Sequence, residues 1–126
     1  KKLNVVAINL GPMSYEAAEH LFKHDTLLGT YPGTVELKDS KLIIDGHEIR
    51  LSAECNPSDC PWKSLGIDWV VESSGCFVTR EGSSGHLKAG ARQVLVTAPM
   101  KGEDINIIPG VNMDQYNEHE HSIVSL

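Results

Sequence analysis

Two short apolar runs, Ile67-Asp68-Trp69-Val70-Val71 and Gln93-Val94-Leu95-Val96-Thr97, constrain the fold of this chain more than any other feature. Both are rich in β-branched residues and too short for a buried helix. Each stops at a turn signal, Glu72-Ser73-Ser74-Gly75 in one case and Ala98-Pro99 in the other. A strand with apolar residues on both faces needs cover on both faces, as in a parallel sheet with helices above and below. The segment between the two runs reads as a helix from about Thr79 to Lys88, weakened by Gly82 and Gly85.

The same rhythm holds elsewhere. Leu3-Asn4-Val5-Val6-Ala7-Ile8-Asn9 reads as a buried strand ending at Gly11-Pro12. Ser14 then caps a helix from Tyr15 to about Lys23, with Tyr15, Ala18, Leu21 and Phe22 on one face. Asn56-Pro57 has the form of a cap followed by proline in the first turn, opening a short helix toward Trp62 and Leu65. Ile105-Asn106-Ile107-Ile108 and Ser122-Ile123-Val124-Ser125 are two further strands. Residues 33–52 differ: Thr34–Leu37, Leu42–Ile44 and His47–Leu51 are β-type runs, and Asp45-Gly46 is a strong two-residue hairpin signal. They form a small antiparallel insertion. The fold class is therefore α/β with a mostly parallel sheet.

At 126 residues the chain has the size of one domain. A net charge of −6, with no block of Lys or Arg, argues against nucleic acid as a partner. No apolar run is long enough to cross a bilayer and no leader is evident, so the expected location is cytoplasmic. Three cysteines, Cys55, Cys60 and Cys76, without a CxxC pair do not make a disulfide framework, and two thiols alone cannot complete a zinc site. His119 and His121 lie two apart among glutamates, which reads as a solvated loop, and Lys23-His24-Asp25 reads as a helix end. No metal is expected.

In parallel sheets ligands bind at the carboxyl ends of strands. The candidate positions are therefore Asn9-Leu10, Ser73-Ser74-Gly75 and Thr97-Ala98.

Those strand ends also belong to a series of motifs. Val5-Val6-Ala7-Ile8-Asn9, Leu21-Phe22-Lys23-His24-Asp25-Thr26 with Gly29, and Pro61-Trp62 come first. Val70-Val71-Glu72-Ser73-Ser74-Gly75-Cys76-Phe77, His86-Leu87-Lys88-Ala89-Gly90-Ala91, Val96-Thr97-Ala98-Pro99 and Gly110-Val111-Asn112 follow. In order and spacing they resemble the amino-terminal domain of the glyceraldehyde-3-phosphate dehydrogenase family. The resemblance implies a Rossmann-type fold, NAD or NADP as cofactor, and a homotetrameric parent enzyme of glycolysis or gluconeogenesis. It also implies a phosphorylated sugar aldehyde and inorganic phosphate as substrates. A thiolate attacks the aldehyde, hydride passes to the nicotinamide, and phosphate releases the thioester.

The resemblance further places the family's glycine-rich first turn before Lys1, and its nucleophilic cysteine and activating histidine beyond Leu126. Residues 1–126 then form a partial NAD(P)-binding domain with no catalytic residue, expected to be inactive alone. The sheet would lack its first strand and tend to disorder, aggregation or strand exchange. Erythrose-4-phosphate dehydrogenase and a non-catalytic nucleotide-binding or scaffold paralogue are the alternatives.

By the same resemblance Asn9, Leu10, Cys55, Ser74, Gly75, Phe77, Thr97 and Ala98 line the cofactor, and each has a plainer reading. Leu10 stands where NAD-preferring relatives usually carry an acid that binds the adenine ribose, through bonds worth roughly 1.5–3 kcal/mol. Leucine removes that attraction and the repulsion of a 2′-phosphate together; otherwise it is an ordinary turn residue. Cys55 replaces a common arginine beside the adenine, where backbone can make the contact. Ser74, Gly75 and Phe77 either hold the nucleotide or form a strand-ending turn with an apolar plug. Thr97-Ala98 resembles the pair beside the nicotinamide ribose, against a threonine satisfying local backbone. Cys76 reads as a core residue, with no histidine near it in sequence.

Overall fold

In the computed structural model, which describes residues 3–126, the chain divides after Cys55 into two units with a four-stranded sheet each. The expected strands are present, but in two sheets rather than one.

In the first unit β1 (Ala7–Asn9) leads to α1 (Tyr15–Lys23), where the Ser14 side chain accepts the Ala17 amide as an N-cap. The two-residue strands β2 (His24–Asp25) and β3 (Gly29–Thr30) pair antiparallel where the sequence suggested only a helix end. Then β4 (Val35–Lys38), β5 (Lys41–Ile44) and β6 (His47–Ser52) form the antiparallel insertion, in the sheet order β1-β6-β5-β4. Asp45 and Gly46 both have positive φ, 49° and 82°, as the hairpin signal requires. The insertion joins the rest through β6, which runs parallel to β1 with Ile8 opposite Leu51. Val35, Leu42, Ile49 and Leu51 are the buried core, and Ile8, Leu10 and Tyr15 pack against it.

The first strand is shorter than its apolar run. Only Ala7–Asn9 pairs, while Leu3, Val5 and Val6 are exposed. Its single strand neighbour among the described residues is β6. Just before Ala7 the Val6 carbonyl still accepts the Arg50 amide at 3.0 Å, and the Val5 carbonyl lies 2.7 Å from His47 Nε2.

In the second unit Asn56 caps a 3-10 turn, Pro57–Asp59, which is separated by Cys60-Pro61 from α2 (Trp62–Leu65). The expected single helix is thus two short pieces. The unit continues with β7 (Trp69–Glu72), α3 (Arg80–Lys88), β8 (Gln93–Val96), β9 (Ile105–Asn106), a 3-10 turn at Met113–Gln115, and β10 (Ile123–Ser125). All four strands are parallel, in the order β7-β8-β10-β9. Val94, Val96 and Ile123 are buried, with Leu87, Ala98 and Met100 against them.

Despite its glycines α3 is regular, because they serve packing. A Cβ on Gly85 would lie 2.9 Å from Cβ of Pro57, so glycine is what lets the helix backbone meet the 3-10 turn. Among the described residues no helix is long and apolar enough to cross a membrane.

Candidate functional site

At the carboxyl end of β1 the Asn9 side chain makes three hydrogen bonds. Its Oδ1 accepts from the Ser52 hydroxyl and the Glu54 amide, both at 2.9 Å, and its Nδ2 donates to the Glu54 carbonyl at 2.9 Å. Asn9 therefore ties the end of β1 to the chain leaving β6. Leu10 donates its amide to the Ser52 carbonyl at 2.8 Å, and its half-buried side chain packs on the core of this unit. Gly11 turns with φ 58°, and Cys55 is an exposed free thiol at the end of the unit.

The second cluster forms at the carboxyl ends of β7 and β8, which are neighbours with Glu72 opposite Val96. The Thr97 amide donates to the Glu72 carbonyl at 3.1 Å. Its Oγ1 lies 3.3 Å from that carbonyl and 3.0 Å from the Ser73 hydroxyl. Ser73, Ser74, Gly75 and Thr97 are all exposed. Gly75 has φ 75°, and a Cβ built on it would meet nothing within 4 Å, so its face is open to close approach. Among the described residues its amide has no protein acceptor. The fit to a polar ligand bearing hydroxyls is good: a rim of hydroxyls, an open glycine and a backbone N–H without a protein acceptor among the described residues. Ala98 is half-buried on the core, and Phe77 is half-buried with its ring edge-on to His86.

The structure thus brings Ser74, Gly75, Thr97 and Ala98 together just past the carboxyl ends of the adjacent strands β7 and β8, with Phe77 two residues beyond Gly75. It places Asn9, at the end of β1, together with Leu10 and Cys55 in the other unit. Cys76 is exposed rather than core; its amide donates to the Ser74 hydroxyl at 3.1 Å and finishes the turn. His121 accepts the Asn117 amide and closes its loop, while His119 is solvated.

Sequence reasoning missed Glu72. Its carboxylate is buried, and its Oε1 accepts both the amide and the hydroxyl of Ser74. Its Oε2 faces His86 Nε2 at 2.8 Å. Burial pushes its pKa up, but the hydrogen bonds from His86 and Ser74 outweigh burial and leave it below the ordinary 4.5. Asp104 behaves alike. Burial raises it, yet the Ile123 amide, Arg80 and the Ser122 amide hold it below 3.8.

A folded-state pKa below the unfolded one stabilises fully above the unfolded value, and that contribution is lost as pH falls through the folded value. The second unit should therefore keep its stability down to the ordinary carboxylate range and lose it progressively below. Urea unfolding at several pH values reads this, and Glu72→Gln and Asp104→Asn should each flatten the acid limb. Unchanged acid dependence in both variants would refute the assignment.

Parallel strands alternating with helices, with hydroxyl residues and an open glycine at their carboxyl ends, define a nucleotide-binding α/β protein of the Rossmann type. Residues 1–80 match the family described as glyceraldehyde 3-phosphate dehydrogenase, NAD binding domain. Over 123 residues, 98% of the chain, it is 47% identical to glyceraldehyde-3-phosphate dehydrogenase of Thermotoga maritima and 43% identical to that of Schizophyllum commune. It is 42% identical to glyceraldehyde-3-phosphate dehydrogenase 1 of Schizosaccharomyces pombe over the same share. The chain belongs to the glyceraldehyde-3-phosphate dehydrogenase family and corresponds to its NAD-binding domain. It spans 36% of the length of these relatives.

Proposed function

We propose that this chain holds the dinucleotide for a phosphorylating dehydrogenase of a sugar-phosphate aldehyde, as part of a nucleotide-binding domain. The observation that carries this reading is the rim made by Ser73, Ser74, Gly75 and Thr97 at the carboxyl ends of β7 and β8. Hydroxyls there suit the ribose, and the Gly75 amide offers a backbone donor where no side chain obstructs approach. Ala98 keeps the rim low beside Thr97, and Phe77 supplies an apolar support. When bound, the nicotinamide takes up the hydride of aldehyde oxidation. The chain's contribution is to bind and orient, which lowers the entropic cost of the chemical step. The thiol that attacks the aldehyde is supplied from outside residues 1–126, so the isolated chain should not turn over substrate.

Leu10 bears on the choice of nucleotide. Its side chain packs on the core and carries no charge, so it neither attracts ribose hydroxyls nor repels a 2′-phosphate. NAD and NADP should therefore bind with affinities within about tenfold of each other, a difference under roughly 1.4 kcal/mol. Calorimetric titration with each nucleotide in parallel checks this. A strong preference for NAD would end the Leu10 argument, and no saturable binding of either would end the functional reading.

A further inference from the structure

Beneath the Ser73–Gly75 turn lies a line of polar groups that nucleotide contact does not use. Trp62 on α2, His86 on α3 and Glu72 on β7 are each less than a tenth exposed. An indole N–H can only donate, and that of Trp62 points at His86 Nδ1 from 3.0 Å. Nδ1 must therefore present its lone pair. The imidazole proton then sits on Nε2, which donates to Glu72 Oε2 at 2.8 Å. The other carboxylate oxygen accepts the Ser74 amide at 2.7 Å and the Ser74 hydroxyl. Among the described residues no buried side-chain nitrogen or oxygen lacks a partner.

We propose that Trp62 fixes the tautomer of His86, and that the resulting one-way chain from Trp62 through His86 to Glu72 sets the Ser74-Gly75 turn for nucleotide. The three are positioning residues. Their link to ligand rests on the proposed reading of that turn as the nucleotide rim.

The direction of the hydrogen bonds makes this testable. Glu72→Gln keeps the shape but replaces one acceptor by a donor. With the amide oxygen toward Ser74, the new NH2 meets the Nε2–H of His86. Moving that proton to Nδ1 only transfers the conflict to the indole N–H of Trp62. With the amide reversed, the NH2 opposes the Ser74 amide. No arrangement satisfies every group while Trp62 donates. Trp62→Phe removes the obstructing donor, so His86 can then carry its proton on Nδ1 and accept from the introduced carboxamide. Trp62→Phe should thus partly cure Glu72→Gln, which a packing role for the indole would not produce.

The experiment uses the full-length protein carrying this chain, with NAD as the probe. Calorimetric Kd is measured for wild type, Glu72→Gln, Trp62→Phe and the double variant, and 15N spectra of labelled histidine report the tautomer. The expected results are Nε2–H in the wild type and Nδ1–H in the double variant. The Kd should weaken about tenfold in Glu72→Gln and recover at least about threefold in the double variant. A wild-type imidazole protonated on Nδ1 overturns the chain of bonds, and it is read even if a variant fails to fold. An unchanged Kd in Glu72→Gln, or a double variant no better than that single one, overturns its hold on the turn. Wild-type protein that shows Nε2–H but takes up no NAD overturns the functional reading, and with it the assignment of these bonds to nucleotide positioning.

Discussion

Gly90→Ala should destabilise the Asn56–Leu126 unit by about 3 kcal/mol, one of the two largest effects expected in the chain. Two costs coincide. Gly90 follows the end of α3 with φ 107°, a region where a side chain costs about 1–2 kcal/mol. A Cβ there would also lie 2.5 Å from Lys63 Cβ and 2.8 Å from Lys63 Cα. Overpacking of that kind costs about 1–3 kcal/mol, and little can yield here. The Lys63 amide donates to the Ala89 carbonyl at 2.9 Å, so separating the chains breaks the bond joining α2 to the end of α3. Both tryptophans of the chain, Trp62 and Trp69, lie in this unit, so their fluorescence during urea unfolding reports it. Gly75→Ala is the control: φ is also positive but the space is empty, and only the backbone cost of about 1–2 kcal/mol should appear. Equal losses in the two variants would show that the contact with Lys63 relaxes at no cost.

Gly90 also illustrates what a sequence can and cannot disclose. Elements fixed by local chemistry were legible: Ser14 before the face of α1, Asp45-Gly46 between β5 and β6, and the apolar runs of β7 and β8. The turn between β4 and β5 was not. Asp39 and Ser40 adopt positive φ, 50° and 59°, without a glycine, held by the pairing of Lys38 with Lys41. Gly85 looked like a defect in α3, because local propensity counts its cost and cannot see Pro57 against its backbone. At the candidate site, Ser74, Gly75 and Thr97 were legible because a strand end followed by small polar residues is a local pattern. Glu72 was not, since its partners come from sites such as His86, 14 residues away, and no spacing rule links them. Asn9 was legible as a strand end, but its three bonds to Ser52 and Glu54 depend on β6 lying beside β1.

Replacing His86 by leucine should cost at least about 3 kcal/mol, for reasons opposite to those at Gly90. Leucine fills nearly the same volume, so cavity formation contributes little and the loss is electrostatic. The Glu72 carboxylate, 8% exposed, would keep Ser74 on one oxygen and have nothing on the other. Removing one partner of a buried charge costs about 3–5 kcal/mol, and the retained Ser74 bonds bring the figure to the lower end. The indole N–H of Trp62 would lose its acceptor as well, at about 1–3 kcal/mol unless water reaches it. If unmet demand is the cause, removing the demand should relieve it. Adding Glu72→Leu to His86→Leu removes the stranded charge and passes the Ser74 donors to solvent, which already reaches that exposed residue. The double variant should then be less destabilised than the sum of its single changes by about 1 kcal/mol or more. Chemical unfolding followed by tryptophan fluorescence measures all three variants. A His86→Leu loss below about 1 kcal/mol, or strict additivity, would mean that water or a shifted loop satisfies Glu72 without the imidazole.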